Sequence, residues 1–90
     1  MTLHIYDVNG FVGDLATIHG YAAFVDWADD NAGPLVKQFV NEGSILKSDA
    51  FLKELTEIKA PPDLMPIAMV ILDNAEKCDT VVIVSMGIEP

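Results

Sequence analysis

The stretch from Asp63 to Gly87 constrains this chain more than any other. It holds two apolar blocks, Leu64–Leu72 and Val81–Val84, separated by the charged run Asp73–Asp79. No other segment is apolar enough to centre a core, so the remaining residues must pack around this one. Thr80–Met86 reads as a strand from its β-branched content, with Val82, Val84 and Met86 on one face and Val81 and Ile83 on the other. A strand apolar on both faces belongs inside a covered sheet. For Ile67–Leu72 two readings compete. A hairpin with Val81–Val84 needs a seven-residue loop, Asp73–Asp79, that contains no glycine, whereas Asn74–Lys77 is good helix material. The helix is preferred, with Asp63 as its cap and Pro66 tolerated in its first turn.

The segments before it follow in order. Thr2–Val8 alternates, Leu3 and Ile5 against Thr2, His4 and Tyr6, as a half-buried strand does. Asn9-Gly10 is a strong hairpin signal, yet Gly13 closes the second arm after Phe11 and Val12, so only a tight turn or stub hairpin is expected. From Leu15 the period becomes helical through Ile18, Ala22, Val25 and Ala28, with Asp14 as N-cap and Gly20 as a weak point. Pro34 opens the next helix, Leu35, Val36, Phe39 and Val40 form its buried side, and Gly43 ends it. Ser44–Lys47 is a connector or a short strand. Ser48 caps a third helix whose stripe is Phe51, Leu52, Leu55 and Ile58, with Lys53 and Glu57 as an i,i+4 pair, and Pro61-Pro62 stops it.

The expected fold is therefore α+β: a small, mostly helical single domain over residues 1–90, with three to four helices. Its short sheet, two- to three-stranded, is formed by the N- and C-terminal strands. One companion strand cannot use both apolar faces of Thr80–Met86. Either Ile45–Lys47 or Ile67–Leu72 joins, or another chain pairs at a sheet edge, which points to a homo-oligomer through strand Thr80–Met86.

Charge narrows the partners. Fourteen acids stand against five lysines and no arginine, for a net charge of −9. Phosphate recognition leans on arginine forks or lysine clusters, so direct binding to nucleic acid or to an anionic membrane face is disfavoured. The asymmetry is local as well: Met1–Val36 carries Asp7, Asp14, Asp26, Asp29 and Asp30 but no lysine. The longest apolar run, Leu64–Leu72, is nine residues and holds a proline, about half of the ~18 that span a bilayer. With no basic stretch at Met1–His4 and a lone Cys78, a reducing cytoplasmic location is expected.

Chemical motifs are weak. His4 and His19 are the only histidines and form no i,i+4 pair. His19, beside Gly20, is expected at a helix junction with a backbone partner. Cys78 lies between Lys77, which favours a thiolate, and Asp79, which opposes it. Ser85 ends a strand, but Ile83 stands where a nucleophile elbow needs glycine. An EF-hand loop begun at Asp29 fails, because Gly33 and Pro34 occupy its fifth and sixth places and Val40 its twelfth. No dinucleotide or P-loop signature is present, so no catalytic residue, metal ligand or cofactor is assigned.

The leading expectation is a small acidic protein-binding module that acts without catalysis, through an acidic surface facing a protein partner with a basic surface. Asp26, Trp27, Asp29 and Asp30 are its contact residues, with Trp27, one step off the apolar stripe, either an anchor flanked by acids or, the plainer reading, a core-edge residue. One form is an inhibitor that occupies a basic, nucleic-acid-binding surface of its target. Two alternatives stand beside it. One is a structural or oligomerising subunit assembling through a sheet edge; the other is a minimal enzyme or small-ligand binder using His4, Tyr6 and Cys78.

Overall fold

The computed structural model describes residues 2–86, including all of their side chains except those at 2, 16–19 and 86. Eight elements follow one another: β1 (Thr2–Asp7), β2 (Gly10–Thr17), α1 (Ile18–Asn31), α2 (Pro34–Glu42), β3 (Ser44–Leu46), α3 (Asp49–Thr56), α4 (Met65–Lys77) and β4 (Val81–Met86). The strands form one antiparallel sheet in the order β2-β1-β4-β3. The α+β class holds, with four helices. The sheet is larger than expected, because β2 and β3 join the two terminal strands.

The double-sided character of β4 follows from this order. It lies between β1 and β3, with Ile83–Met86 paired to Leu3–Tyr6 on one side and Val81–Ile83 paired to Ser44–Leu46 on the other. β4 is thus an inner strand of the sheet, and its Val81, Ile83 and Ser85 lie on the outward face. Val82 points inward with Leu3, Ile5, Leu15 and Ile45. Against them pack Phe24 and Ala28 of α1, Val36 and Phe39 of α2, Phe51 and Leu55 of α3, and Ala68 and Ile71 of α4. Each fully buried Phe, Leu, Ile or Val among them is worth about 1.5–3 kcal/mol.

The first third departs most from expectation. The hairpin is a full one: β2 runs eight residues, past Gly13, paired with β1 from Asp7↔Gly10 to Thr2↔Thr17. Two register shifts, between Thr2 and His4 and between Ile5 and Tyr6, absorb the extra residues. Gly10, at φ 121°, takes the left-handed turn position. Gly13 serves instead for close approach, since a Cβ there would run into the Asn74 carboxamide on α4. Asp14 consequently belongs to a strand and caps no helix, and α1 begins at Ile18. Gly20 then falls in its first turn, and the helix runs unbroken through it to Asn31. The backbone places His19 in that first turn; its side chain lies outside the described residues.

Local signals fare better from Gly33 onward. Ser48 Oγ accepts from Phe51 N at 3.2 Å, and Gly43 closes α2 at φ 78° with its N–H on Phe39 O. Pro66 sits in the first turn of α4, but Asp63 does not cap it: Leu64 is the capping residue, and the Leu64 and Met65 N–H groups donate to Pro61 O. The expected Lys53–Glu57 pair is not made. Ion pairs among the described residues are His4–Asp14 and Lys77–Asp73.

The neighbouring Glu54 has a more consequential task. From α3 its carboxylate accepts from Leu35 N and Val36 N at 3.1 Å, capping the N-terminus of α2, where Gly33 has no side chain to do so. An anionic cap also suits the positive end of the helix dipole. Glu54→Ala should cost about 1–2 kcal/mol in urea unfolding. Gly33→Ala should cost a comparable amount, because its Cβ would push into the same carboxylate. Additive losses in the double variant would show the two sites to be independent and refute the shared cap.

Candidate functional site

The helices cover one face of the sheet, and among the described residues no element covers the other. Cross-strand register places on that outward face His4 and Tyr6 from β1, Phe11 and Asp14 from β2, Val81, Ile83 and Ser85 from β4, and Ser44 and Leu46 from β3. Phe11 is 59% exposed and Leu46 70%, while Tyr6, Val81 and Ile83 are partly covered by their neighbours. His4, Tyr6 and Phe11 form an edge-to-face cluster with centroid separations of 6.3, 5.5 and 6.0 Å. Such contacts hold the rings in fixed orientations and present a preorganised aromatic surface.

His4 Nδ1 lies 2.6 Å from Asp14 Oδ1. Both side chains belong to adjacent strands, and Ser85 stands across from His4 on the other side. The order Asp14, His4, Ser85 across three strands has the sequence of groups of a nucleophilic triad. What a triad also needs is a pair of free N–H groups aimed at a developing oxyanion. The backbone here is engaged in ladders on both sides of β1, and the row lies on a flat, open surface. The arrangement therefore carries polar contact chemistry better than acyl transfer.

Cys78 stands away from this face. It is fully buried beyond the end of α4, with Sγ 3.4 Å from Asn74 O and 3.9 Å from Tyr6 O. Burial, reinforced by the charge of Asp7, pushes its pKa up, opposite to what an activated thiolate needs. Lys77, the expected activator, pairs with Asp73 at 3.4 Å. Lys47 donates instead to Glu76 O and Cys78 O, carbonyls at the C-terminal end of α4 where a cation suits the dipole. Two of the five lysines are thereby engaged within the protein.

The acidic residues singled out in the sequence lie on α1, in the helical layer. Asp26, Asp29 and Asp30 are all exposed and, at i, i+3 and i+4, share one face. Asn41 Nδ2 donates to Asp29 Oδ1 at 3.0 Å, and no lysine comes within salt-bridge distance of the three. Trp27 takes a core-edge position. It is half-buried, tilted against Phe24 at 6.0 Å and packed on the core. The helix thus presents an uncompensated acidic ridge near its C-terminal end, where its own dipole is unfavourable to negative charge.

No family model, curated protein or solved structure matches this chain. Its function must be argued from the geometry itself. The sequence does not single out Phe11 and Leu46 as outward-facing, whereas Ile83 lies in Thr80–Met86, the strand expected to assemble with another chain. A signal for Ile83 was present in the two-sided apolarity of β4. For Leu46, the short run Ser44–Leu46 gave no indication of which side would face out.

Proposed function

We propose that this protein is a non-enzymatic protein-binding module whose main contact surface is the open face of the sheet. The observation that carries this reading is the alignment of Tyr6, Phe11, Val81, Ile83 and Leu46 across four strands, with none of the described elements over them. A contiguous apolar surface containing rigid aromatic side chains is the ordinary composition of an interface centre. Aromatic platforms also bind single-stranded nucleic acid, but that mode needs a cationic groove, and a net charge of −9 without arginine opposes it. The acidic ridge of Asp26, Asp29 and Asp30 supports encounter with a basic partner from a distance more than it supplies contact area. A basic, nucleic-acid-binding protein surface, occupied and thereby inhibited, fits both features.

The test uses the partner recovered from the native host and the pair Phe11→Asp, Leu46→Asp. Both sites are exposed, so the fold should survive, while affinity should fall at least ~30-fold. Neutralising Asp26, Asp29 and Asp30 to asparagine should instead slow association roughly 10-fold at low salt and change little at high salt. Undiminished binding by the Asp pair would remove the open face from the proposal.

Assembly of like chains is the second reading, favoured by the same bare face. Its edges do not recommend themselves: β3 has only three residues, and β2 carries the two register shifts that blunt an edge. A homo-oligomer would therefore join sheet to sheet, and light scattering of the wild type and the Asp pair distinguishes it from a monomer that waits for another protein.

A further inference from the structure

The tip of the β1–β2 hairpin is formed by Val8, Asn9 and Gly10, all exposed, just after the buried Asp7. Asn9-Gly10 is more than a turn signal. Four asparagines occur in the chain, and Asn9 alone is followed by glycine; Ala32, Glu42 and Ala75 follow the others. A Cβ on the next residue crowds the approach of its nitrogen to an asparagine side chain, and Gly10 has none. Among the described residues nothing lies within 4 Å of where that Cβ would stand, so the tip is open there. The Asn9 carboxamide is tethered from Nδ2 to Asp79 Oδ2 at 3.3 Å, longer than the usual N–H···O bond. The other three asparagines lie in helices and are held more closely. Asn31 Nδ2 donates to Trp27 O, Asn41 Nδ2 to Asp29 Oδ1 and Lys37 O, and the buried Asn74 Nδ2 to Val70 O, at 2.9–3.0 Å.

We propose that Asn9 is a site of spontaneous deamidation, with the Gly10 nitrogen as nucleophile and water as co-reactant. Once the Gly10 N–H has lost its proton to solvent, the nitrogen bonds to Asn9 Cγ. The Cγ–Nδ2 bond breaks, and Nδ2 takes a proton from solvent and leaves as ammonia, so that a five-membered imide remains. Water then adds to one of the two imide carbonyl carbons. Breaking the nitrogen's bond to Cγ gives aspartate; breaking its bond to the main-chain carbonyl carbon gives isoaspartate, whose backbone runs through Cβ and Cγ. Either way one water enters and one ammonia leaves. Ring closure needs Gly10 N to swing toward Cγ, which the exposed tip permits without uncovering a buried side chain. The position gives the reaction a consequence. Asp7 pairs with Gly10 and Tyr6 with Phe11, so the tip sets the register of the aromatic cluster. An isoaspartate lengthens the main chain there by one atom and loosens that pairing. Both products also set a new carboxylate against Asp79 and add one negative charge to the net −9. The site stands whether or not the open face binds a protein.

Ageing of the folded chain in mildly alkaline and mildly acidic buffer tests it, followed by intact mass, peptide mapping and methyl transfer by an isoaspartyl-specific methyltransferase. A gain of about 1 Da should map to Asn9, with methyl-accepting sites appearing in step, while Asn31, Asn41 and Asn74 are still intact. It should be faster in the alkaline buffer, because the nucleophile must first lose a proton. Asn9→Gln, which cannot close the five-membered ring, should show neither change. Asn9→Asp carries the added charge without the added main-chain atom. Amide spectra of the isoaspartyl form should show Tyr6 and Phe11 displaced, whereas in Asn9→Asp they should stay near their wild-type positions. A gain that maps first to another asparagine, an equal gain in Asn9→Gln, or no gain on prolonged alkaline ageing would overturn the site. Isoaspartyl protein with the Tyr6 and Phe11 amides of Asn9→Asp would overturn its effect on the hairpin.

Discussion

Asp7→Asn should lower the melting temperature by about 5–10 °C at neutral pH, more than asparagine at any of the exposed aspartates of α1. Asp7 ends β1 on its inward face, and its carboxylate gathers the start of β4. Oδ2 accepts from Asp79 N at 2.8 Å, and Oδ1 accepts from Thr80 N and Val81 N at 3.2 and 3.1 Å. A carboxamide has one acceptor oxygen, so in either orientation its NH₂ faces a backbone N–H, donor against donor. The chain between α4 and β4 would lose the contact that aligns it with β1.

The same group sets part of the acid response. The hydrogen bond from Asp79 N, with those from Val81, Val8 and Thr80, outweighs burial and lowers the Asp7 pKa from 3.8 to about 2. A carboxylate whose folded pKa is depressed binds protons more weakly in the folded state than in the unfolded one. Its stabilisation is complete above the unfolded value near 3.8 and fades as pH falls from there through about 2. Melting temperature followed from pH 6 to pH 2 should therefore drop less in Asp7→Asn than in the wild type across that window. Parallel curves would mean that the carboxylate is not held by these donors.

Gly13→Ala should cost about 1–3 kcal/mol, against the usual small gain from replacing glycine where the backbone allows it. Gly13 does not occupy a positive-φ conformation, so the backbone does not demand glycine. The obstacle is Asn74, whose carboxamide occupies the position of the missing Cβ and is held in place by donation to Val70 O at 2.9 Å. Asn74 is buried, and its short side chain has little room to swing aside. In an Asn74→Ala background the obstacle is gone, and Gly13→Ala should become nearly neutral. A coupling of at least ~1 kcal/mol in urea unfolding is expected from this double-mutant cycle. Independence of the two substitutions would rule out the close approach of β2 to α4 as the reason for glycine.

These two residues also mark where the sequence misleads. Gly13 reads as a strand breaker when only its neighbours are considered, and the expected hairpin was cut short there. Asp14, immediately before the apolar helical spacing that begins at Leu15, reads as a cap. In the folded protein β1 pairs with β2 as far as Thr17 and so claims both residues for the sheet. Pairing between strands outweighs a local cap worth ~1 kcal/mol. Asp26, Asp29 and Asp30 behave differently: their spacing on a helix is enough to place them together and outward. Trp27, one step off the apolar stripe, lies where that spacing puts it, half-buried at the edge of the core against Phe24.

By itself the sequence determined what depends on near neighbours: the four helical segments, the Pro34 and Ser48 starts, the Gly43 stop, the strand at Val81–Met86, and the excess of acid. Each of these is written within a turn or two of chain, where steric limits and caps act. Only the tertiary structure decided that β4 would lie inside a four-stranded sheet with one face uncovered by the described elements. It also decided that Asp7 would bind amides more than seventy residues away, and that the Tyr21 hydroxyl would be buried without a partner. Those outcomes depend on which distant segments share the same space, and that is settled by packing one core from all eight elements at once.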